Sequence, residues 1–326
     1  MTEYPKTLEE FEAMFPTDAA CRDYLCQIRW PNGFCCPRCG GEKAYPIGPV
    51  LYQCAKCRYQ MSVIAGTIFQ DTHKPLTMWF RAIWWITGQK NGVSALGLKR
   101  ILGMGSYQTA WSWLHKMRTA MVRPGRDRLA GVVEVDESYV GGEKPGKRGR
   151  GAEGKALVVV AVEDKADKGI GRIRMAIVPD ASARSLTPFV KASVQEGSTV
   201  RTDGWHGYDG LKSSGYNRVV DRKDSCVGDK PLKLAHLAVS LLKRWLMGTH
   251  QGAASLEYLA YYLDEFVFRF NRRTSTHRGL LFLRLLQNSV LGEPIPYKKI
   301  VKHVRGPKSM NHNILGVAYS NGYPRF

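Results

Sequence analysis

The sequence predicts an α+β multidomain protein: an N-terminal zinc ribbon, then a helical module with helix-turn-helix proportions, then a mixed α/β domain. Three observations predict it. Two C-x-x-C knuckles, Cys36-Pro-Arg-Cys39 and Cys54-Ala-Lys-Cys57, are separated by fourteen residues, the length of a small hairpin. From about residue 74 to 121 a tryptophan-rich stretch has helical apolar spacing. At 131–142, GVVEVDESYVGG, the period shortens to that of a strand in which carboxylates alternate with valines, and further strand-like runs come after it.

Residues 1–72 form the first part. Leu8, Phe11, Met14 and Phe15 stand at helical spacing and predict one or two short helices that pack on the neighbouring cysteine-rich segment. Each knuckle presents two thiolates to one ion, so Cys36, Cys39, Cys54 and Cys57 can close a tetrahedral Zn²⁺ site. That zinc is structural, because four thiolates leave no open coordination position. Cys35 adjoins a ligand and could stand in for it, while Cys21 and Cys26 are expected to be core or spare thiols. Seven of the eight cysteines lie within 21–57, and Cys226 stands alone. In a reducing cytosol such clustering means metal ligation rather than disulfides. The first twenty residues are acidic and lack the basic-then-apolar order of a signal peptide, so the cytosol is the expected compartment.

In residues 73–125 the pattern predicts three helices at about 75–89, 94–102 and 106–121, with Gly92 and Gly103-Met104-Gly105 as breakers. The short glycine turn between the second and third gives helix-turn-helix proportions. Ser106 would cap the third helix, and Tyr107, Gln108, Thr109 and Ser112 near its start could reach base edges. Trp79, Trp84, Trp85, Trp111 and Trp113 are expected in the core. A three-helix packing module without nucleic-acid contact is the alternative.

Charge narrows the partner. With 48 Lys+Arg against 28 Asp+Glu the formal net charge is +20, which calls for a polyanion. Nucleic acid fits better than an anionic membrane, since no basic amphipathic helix stands out and no run approaches 18 uninterrupted apolar residues. The 44% hydrophobic content is enough for ordinary cores and excludes a disordered tail protein. No glycine-rich phosphate motif is present, so no nucleotide cofactor is implied.

Residues 129–290 hold the mixed domain. Glu134 and Asp136 share one face of the first strand, with Glu137 just beyond. Carboxylates taken out of water cost several kcal/mol each unless a cation faces them, either a metal or the Lys and Arg of a solvated edge. Beyond Gly142 comes EKPGKRGRGAEGK, a glycine-rich stretch with Lys144, Lys147, Arg148, Arg150 and Lys155. It could track a phosphate backbone or be a solvated surface loop. Strands are expected at 156–163 and 171–179, a helix at 181–194, and then STVRTD, which delivers Asp203 to a glycine-rich turn. NRVVD at 217–221 is the next expected strand. The apolar helical pattern at 232–246 holds His236 and Lys243 seven residues apart, about two turns, so both project from one face. Two aspartates at strand ends and a helix-borne ligand can converge on one divalent-metal site. The plain alternative makes His236 a satisfied core residue. An apolar helix at 255–273 ends in Asn271-Arg272-Arg273, and 291–326 is a basic tail expected to be extended and to contact DNA or a second protomer.

The order of these parts, with VDESYVGG, TDGWHGY, H-x6-K-R-W and GTHQGAASLEYLAYYLDEFVFRFNRR, resembles the zinc-ribbon DDE-type transposases of bacterial insertion sequences across roughly 20–290. The resemblance implies a ribonuclease-H-like DDE-type catalytic domain whose first acidic residue is Asp136 and whose second is Asp203. The third position, a carboxylate in the best-known members, precedes a lysine by seven residues; here it is His236, with Lys243 as the lysine. It further implies binding of terminal inverted repeats, metal-dependent end cleavage and strand transfer into target DNA, on the bacterial nucleoid. Two Mg²⁺ (or Mn²⁺) ions about 3.5–4 Å apart serve such chemistry. Asp136 would bridge them, Asp203 and His236 would each complete one side, and Lys243 would hold a DNA phosphate with Arg244 beside it. Imidazole in place of a carboxylate favours Mn²⁺ relative to Mg²⁺. Glu134 and Glu137 are the reserve ligands. Joining two ends to one target needs two sites held together, hence a homodimer or larger oligomer on DNA. The competing readings are a transposase-derived regulator with a dead site and a metal-dependent nuclease without strand transfer.

Overall fold

The computed structural model describes residues 3–123, 125–141, 155–221, 231–250 and 255–302. They divide into two compact units, one of Met1–Pro124 with Arg272–Val301 and the other of Gly125–Asn271 with Lys302–Phe326.

The first unit opens with α1 (Leu8–Met14) and α2 (Asp18–Arg29), whose first turns are capped by the Thr7 and Thr17 hydroxyls accepting from the Glu10 and Ala20 N–H groups. Three short antiparallel strands come next in the order β1 (Ala44–Ile47), β2 (Leu51–Cys54), β3 (Gln60–Ser62). Then come α3 (Leu76–Gly88), α4 (Ala95–Ile101) and α5 (Tyr107–Ala120), each within a residue or so of its expected bounds. Pro75 precedes α3 and offers no cap; the Asp18 carboxylate accepts from the Leu76 and Thr77 N–H groups instead and ties α3 to α2. Trp79 and Trp113 are buried and stacked 3.6 Å apart, while Trp84, Trp85 and Trp111 are half-buried.

The second unit carries β4 (Val132–Val140), β5 (Ala156–Asp164), β6 (Ile170–Val178), α6 (Ala183–Ser193), β7 (Thr199–Thr202), β8 (Asn217–Val220), α7 (Lys233–His250) and α8 (Leu259–Phe270). The five strands form one sheet in the order β6-β5-β4-β7-β8. β5 runs antiparallel to both neighbours, and β4, β7 and β8 are mutually parallel. This is the ribonuclease-H-like sheet. The near-continuous apolar run of β5 follows from cover on both faces. Val158, Val160 and Val162 pack in a core with α7 and α8, whereas Leu157, Val159 and Ala161 pack in another with α6 and Tyr208.

A buried ion pair fastens one end of this sheet. Glu163 on β5 accepts from the backbone N–H groups of Ala130 and Arg172 and pairs with the Arg172 guanidinium at 2.6 Å. Burial alone would raise its pKa, but the Arg172 side chain and the two N–H groups outweigh it and hold the carboxyl at about 2, against an ordinary 4.5. The folded pKa is depressed, so the carboxylate stabilises the fold above the unfolded value and loses that contribution as pH falls through the folded one. Glu163→Gln is therefore expected to cost about 2 kcal/mol at neutral pH. The gap in Tm between variant and wild type should narrow from about pH 4.5 down to about pH 2; parallel Tm curves across that window would contradict this assignment.

The chain then returns to the first unit with α9 (Arg278–Leu291) and α10 (Tyr297–Lys302). The sequence puts 129–290 in one catalytic domain and 291–326 in an extended tail; the contacts group α9 with the first unit, and residues 303–326 of that tail lie outside the described residues. The physical reason is an aromatic cluster: Phe282 of α9 lies 5.5 Å from Phe11, 5.7 Å from Phe15 and Trp84, and 5.8 Å from Phe80. Gly279 allows the approach, since a Cβ there would meet the Pro5 carbonyl oxygen. Among the described residues no helix is long and apolar enough to cross a membrane.

Candidate functional site

Two centres emerge, one in each unit. In the first, the Sγ atoms of Cys36, Cys39, Cys54 and Cys57 lie within 4.8 Å of one another. The Cys36–Cys57 and Cys39–Cys54 separations are 3.7 and 3.6 Å. A tetrahedral ion with bonds of about 2.3 Å requires sulfurs about 3.8 Å apart, so the cage fits Zn²⁺. The backbone is shaped for it: the residue after each second cysteine, Gly40 and Arg58, has positive φ (69° and 59°), which turns each knuckle around its sulfurs. The N–H groups of Cys57 and Lys56 lower the Cys54 thiol to about 7, favouring the thiolate. Cys35 is exposed and outside the group, Cys21 is buried, and Cys26 lies against the Tyr52 hydroxyl at 3.3 Å.

The second centre is built where α7 runs along one face of β4. Glu134, Asp136 and Ser138 project from that face. Glu134 Oε2 accepts from the N–H groups of Leu234 and Ala235, both at 2.9 Å. Asp136 Oδ2 lies 3.9 Å from His236 Nε2. The Ser138 hydroxyl accepts from Lys243 Nζ at 3.1 Å. The spacing of the end contacts follows from the two rises: four strand residues advance about 13 Å and nine helix residues about 13.5 Å. With its side chain 61% exposed, His236 is not the core residue of the plain alternative. Lys243 and Arg244 are also exposed.

Asp203 directly follows β7, the parallel neighbour of β4. Its Oδ1 accepts from the Trp205 N–H at 3.0 Å, which closes the turn after the strand. Arg218 of β8 locks that turn by donating to Thr202 Oγ1 at 3.0 Å and to the carbonyls of Asp203 and Trp205 at 3.2 and 3.1 Å, and it also pairs with Asp209. Burial pushes the Asp136 carboxyl up; His236 and the Glu137 N–H pull it down, and the Asp203 charge pushes it up again. Among the described residues only the four cysteines bring three or more Cys, His, Asp or Glu ligand atoms within 4.8 Å, so Asp136, Asp203 and His236 are spread more widely.

The other expected residues divide. Glu137 lies on the opposite face of β4, where its Oε2 accepts from the buried Tyr208 hydroxyl at 2.6 Å. Glu134 is on the site face, but its oxygens are taken by α7 and by Arg201 Nη1 at 3.6 Å, which leaves both reserve ligands engaged elsewhere. Burial raises the Glu134 pKa, and the Ala235 N–H, Arg201 and the Leu234 N–H oppose it. At the start of α5, Gln108 is exposed and Thr109 half-buried. Ser106 stands at the N-cap without a side-chain cap bond, and Ser112 is buried with its hydroxyl donating to the Thr109 carbonyl, so it does not face outward. Lys147, Arg148 and Arg150 lie outside the described residues, as does Cys226. Sequence reasoning missed Ser138, Arg201, Tyr208 and Arg218. Only Ser138 carried a signal, its place two residues beyond Asp136 on the same strand face.

Comparison with known proteins finds matches for both parts of the chain. A family model described as the ISXO2-like transposase domain matches residues 128–271, and one described as the transposase zinc-ribbon domain matches residues 16–60. The chain is 30% identical over 278 residues, covering 78% of this chain and 91% of the relative, to an uncharacterized protein in transposable element ISH50 of Halobacterium salinarum.

Proposed function

This chain belongs to the transposases that join a zinc ribbon to an ISXO2-like transposase domain, and from that premise we propose that it binds the terminal inverted repeats of its own insertion sequence and catalyses metal-dependent end cleavage and strand transfer. The observation that carries the reading is the meeting of Asp136 and Ser138 with His236 and Lys243 along β4 and α7, with Asp203 following β7, the parallel neighbour of β4.

Asp136, Asp203 and His236 would hold two Mg²⁺ or Mn²⁺ ions, with Asp136 shared. When bound, such ions supply charge stabilisation to the attacking and leaving oxygens of an in-line phosphoryl transfer. Asp136 stands on the central strand of the sheet, opposite Val160 of β5 and two residues beyond Glu134, where the β4–β7 register ends. Arg218 keeps the Asp203 carboxylate aimed by fixing the carbonyls on either side of the turn. His236 carries no fixed negative charge, so the set binds Mg²⁺ less tightly than three carboxylates would and leans towards Mn²⁺. Lys243, exposed at the far end of the contact row, takes a phosphate of the cut strand, with Arg244 beside it. Gln108 and Thr109 on α5, with the zinc ribbon, serve recognition of the ends. Because two ends are joined to one target, the working form is a homodimer or larger assembly on DNA.

The test is cleavage of a labelled duplex carrying the gene's own flanking ends. Nicks at the element boundary, stronger in Mn²⁺ than in Mg²⁺ and absent with chelator or scrambled ends, are expected. Specific binding without cleavage in either metal would point to a regulator, and cleavage without end preference to a nuclease.

A further inference from the structure

Glu134 takes no part in the chemistry above, yet it is buried to 1% exposure in the middle of the sheet. We propose that Glu134 is a positioning residue: its carboxylate pins the first turn of α7 to β4 and so sets where His236 and Lys243 stand relative to Asp136. This rests on the reading of Asp136, Asp203 and His236 as the metal-holding set.

The first N–H groups of a helix have no partner within it and need an acceptor. Leu232, just before α7, has a hydrocarbon side chain and a φ of 50°, so it offers no side-chain cap. The acceptor for Leu234 and Ala235 comes instead from a residue about a hundred positions earlier, Glu134, whose Oε2 takes both N–H groups at 2.9 Å. A carboxylate is suited to that place, because the helix N-terminus carries partial positive charge. The other oxygen is steered by Arg201, which lies opposite Glu134 in the β4–β7 register and whose Nη1 stands 3.6 Å from Oε1. Arg201 is itself held by Asp221 at 2.6 Å and Asp164 at 3.5 Å. The carboxylate is thus fixed from the sheet on one side and fixes the helix on the other.

The leverage lies in the sequence of contacts. His236 is the residue immediately after Ala235, so the pinned amides adjoin the ligand. At 61% exposure and 3.9 Å from Asp136, the imidazole has little packing of its own to hold it, and its place is set by the backbone beneath it. A helix is stiff along its axis, so fixing its first turn also delivers Lys243 to Ser138. Glu134 thereby acts through α7 without touching the reacting atoms.

The test uses the full-length protein with Glu134→Ala and Glu134→Gln, beside Asp136→Asn. In metal-free, DNA-free protein, amide hydrogen exchange at Leu234 and Ala235 is expected to quicken about tenfold or more in Glu134→Ala, with β5 still protected, and to stay within about threefold of wild type in Glu134→Gln, whose carbonyl oxygen still accepts. In end cleavage, Glu134→Ala should lower kcat about 10–100-fold with KM for DNA nearly unchanged, and Glu134→Gln should stay within about tenfold of wild type. The exchange experiment needs no turnover, so a wild-type protein that fails to cleave would sink the transposase reading and leave the pinning to be judged on its own. Unchanged exchange at the two amides in Glu134→Ala would overturn the proposal. So would Glu134→Gln as inactive as Asp136→Asn with both amides protected, which would make Glu134 a ligand. If Glu134→Ala does not fold, Glu134→Asp, one methylene shorter, is expected to loosen the same two amides, and unchanged exchange there overturns the proposal equally.

Discussion

Asp136→Asn is expected to lower metal-dependent end cleavage by at least about 10³-fold while leaving the protein as stable as before or slightly more so. The two effects part because of where the carboxylate sits. Asp136 lies in the middle of β4, opposite Val160 of β5, half-buried and facing His236, with the Asp203 charge nearby. Asparagine keeps the volume and the strand hydrogen bonds. It removes a charge that burial disfavours and that repels Asp203, so Tm should hold or rise by a few degrees. On the proposed function, what is lost is a carboxylate that would be shared by two cations, a place an amide would not fill. A fall in activity that merely tracked a fall in Tm would mean that Asp136 supports the fold and not the chemistry.

Removing the zinc is expected to have the largest structural effect. The strands β1, β2 and β3 bury only Cys54 and Met61 among their residues, far too little apolar surface to order three short strands. Four thiolates on one ion supply what the core cannot; structural zinc contributes about 10–16 kcal/mol in small domains of this kind. Purified protein should carry one zinc per chain. Cys54→Ser, or a strong chelator, should release it, abolish amide protection in β1–β3 and end specific DNA binding, with β5 of the other unit still protected. A metal-free protein whose β1–β3 amides stay protected would contradict the assignment.

Much of the fold was legible because its signals are local. The knuckle spacing named four ligands, and the alternation of Glu134 and Asp136 with valines marked one face of β4, on which Ser138 also lies. The apolar run at 156–163 is a buried strand because both its faces are covered, which composition alone suggests. What was not legible depends on partners far away in sequence. The amphipathic pattern of α9 says that one face is buried without saying against what, and Phe282 turns out to face Phe11 and Phe80. Glu134 looked like a spare ligand because a carboxylate next to a metal position and a carboxylate under a helix N-terminus read alike until the helix is in place. Arg218 read as an ordinary strand residue; its hold on the Asp203 turn arises from parallel pairing of β7 with β8. Ser112 had the helical position for base contact but the wrong rotation, since it falls on the buried side of α5.

The most direct measurement is strand transfer by the purified full-length protein, from a pre-nicked labelled duplex with the gene's flanking ends into a supercoiled target, in Mg²⁺ and in Mn²⁺, beside Asp136→Asn, Asp203→Asn and His236→Ala. Joined product from the wild type, more of it in Mn²⁺, and none from the three variants, is the expected result. Joined product from Asp136→Asn or Asp203→Asn, or specific end binding by the wild type with no joining in either metal, would contradict it.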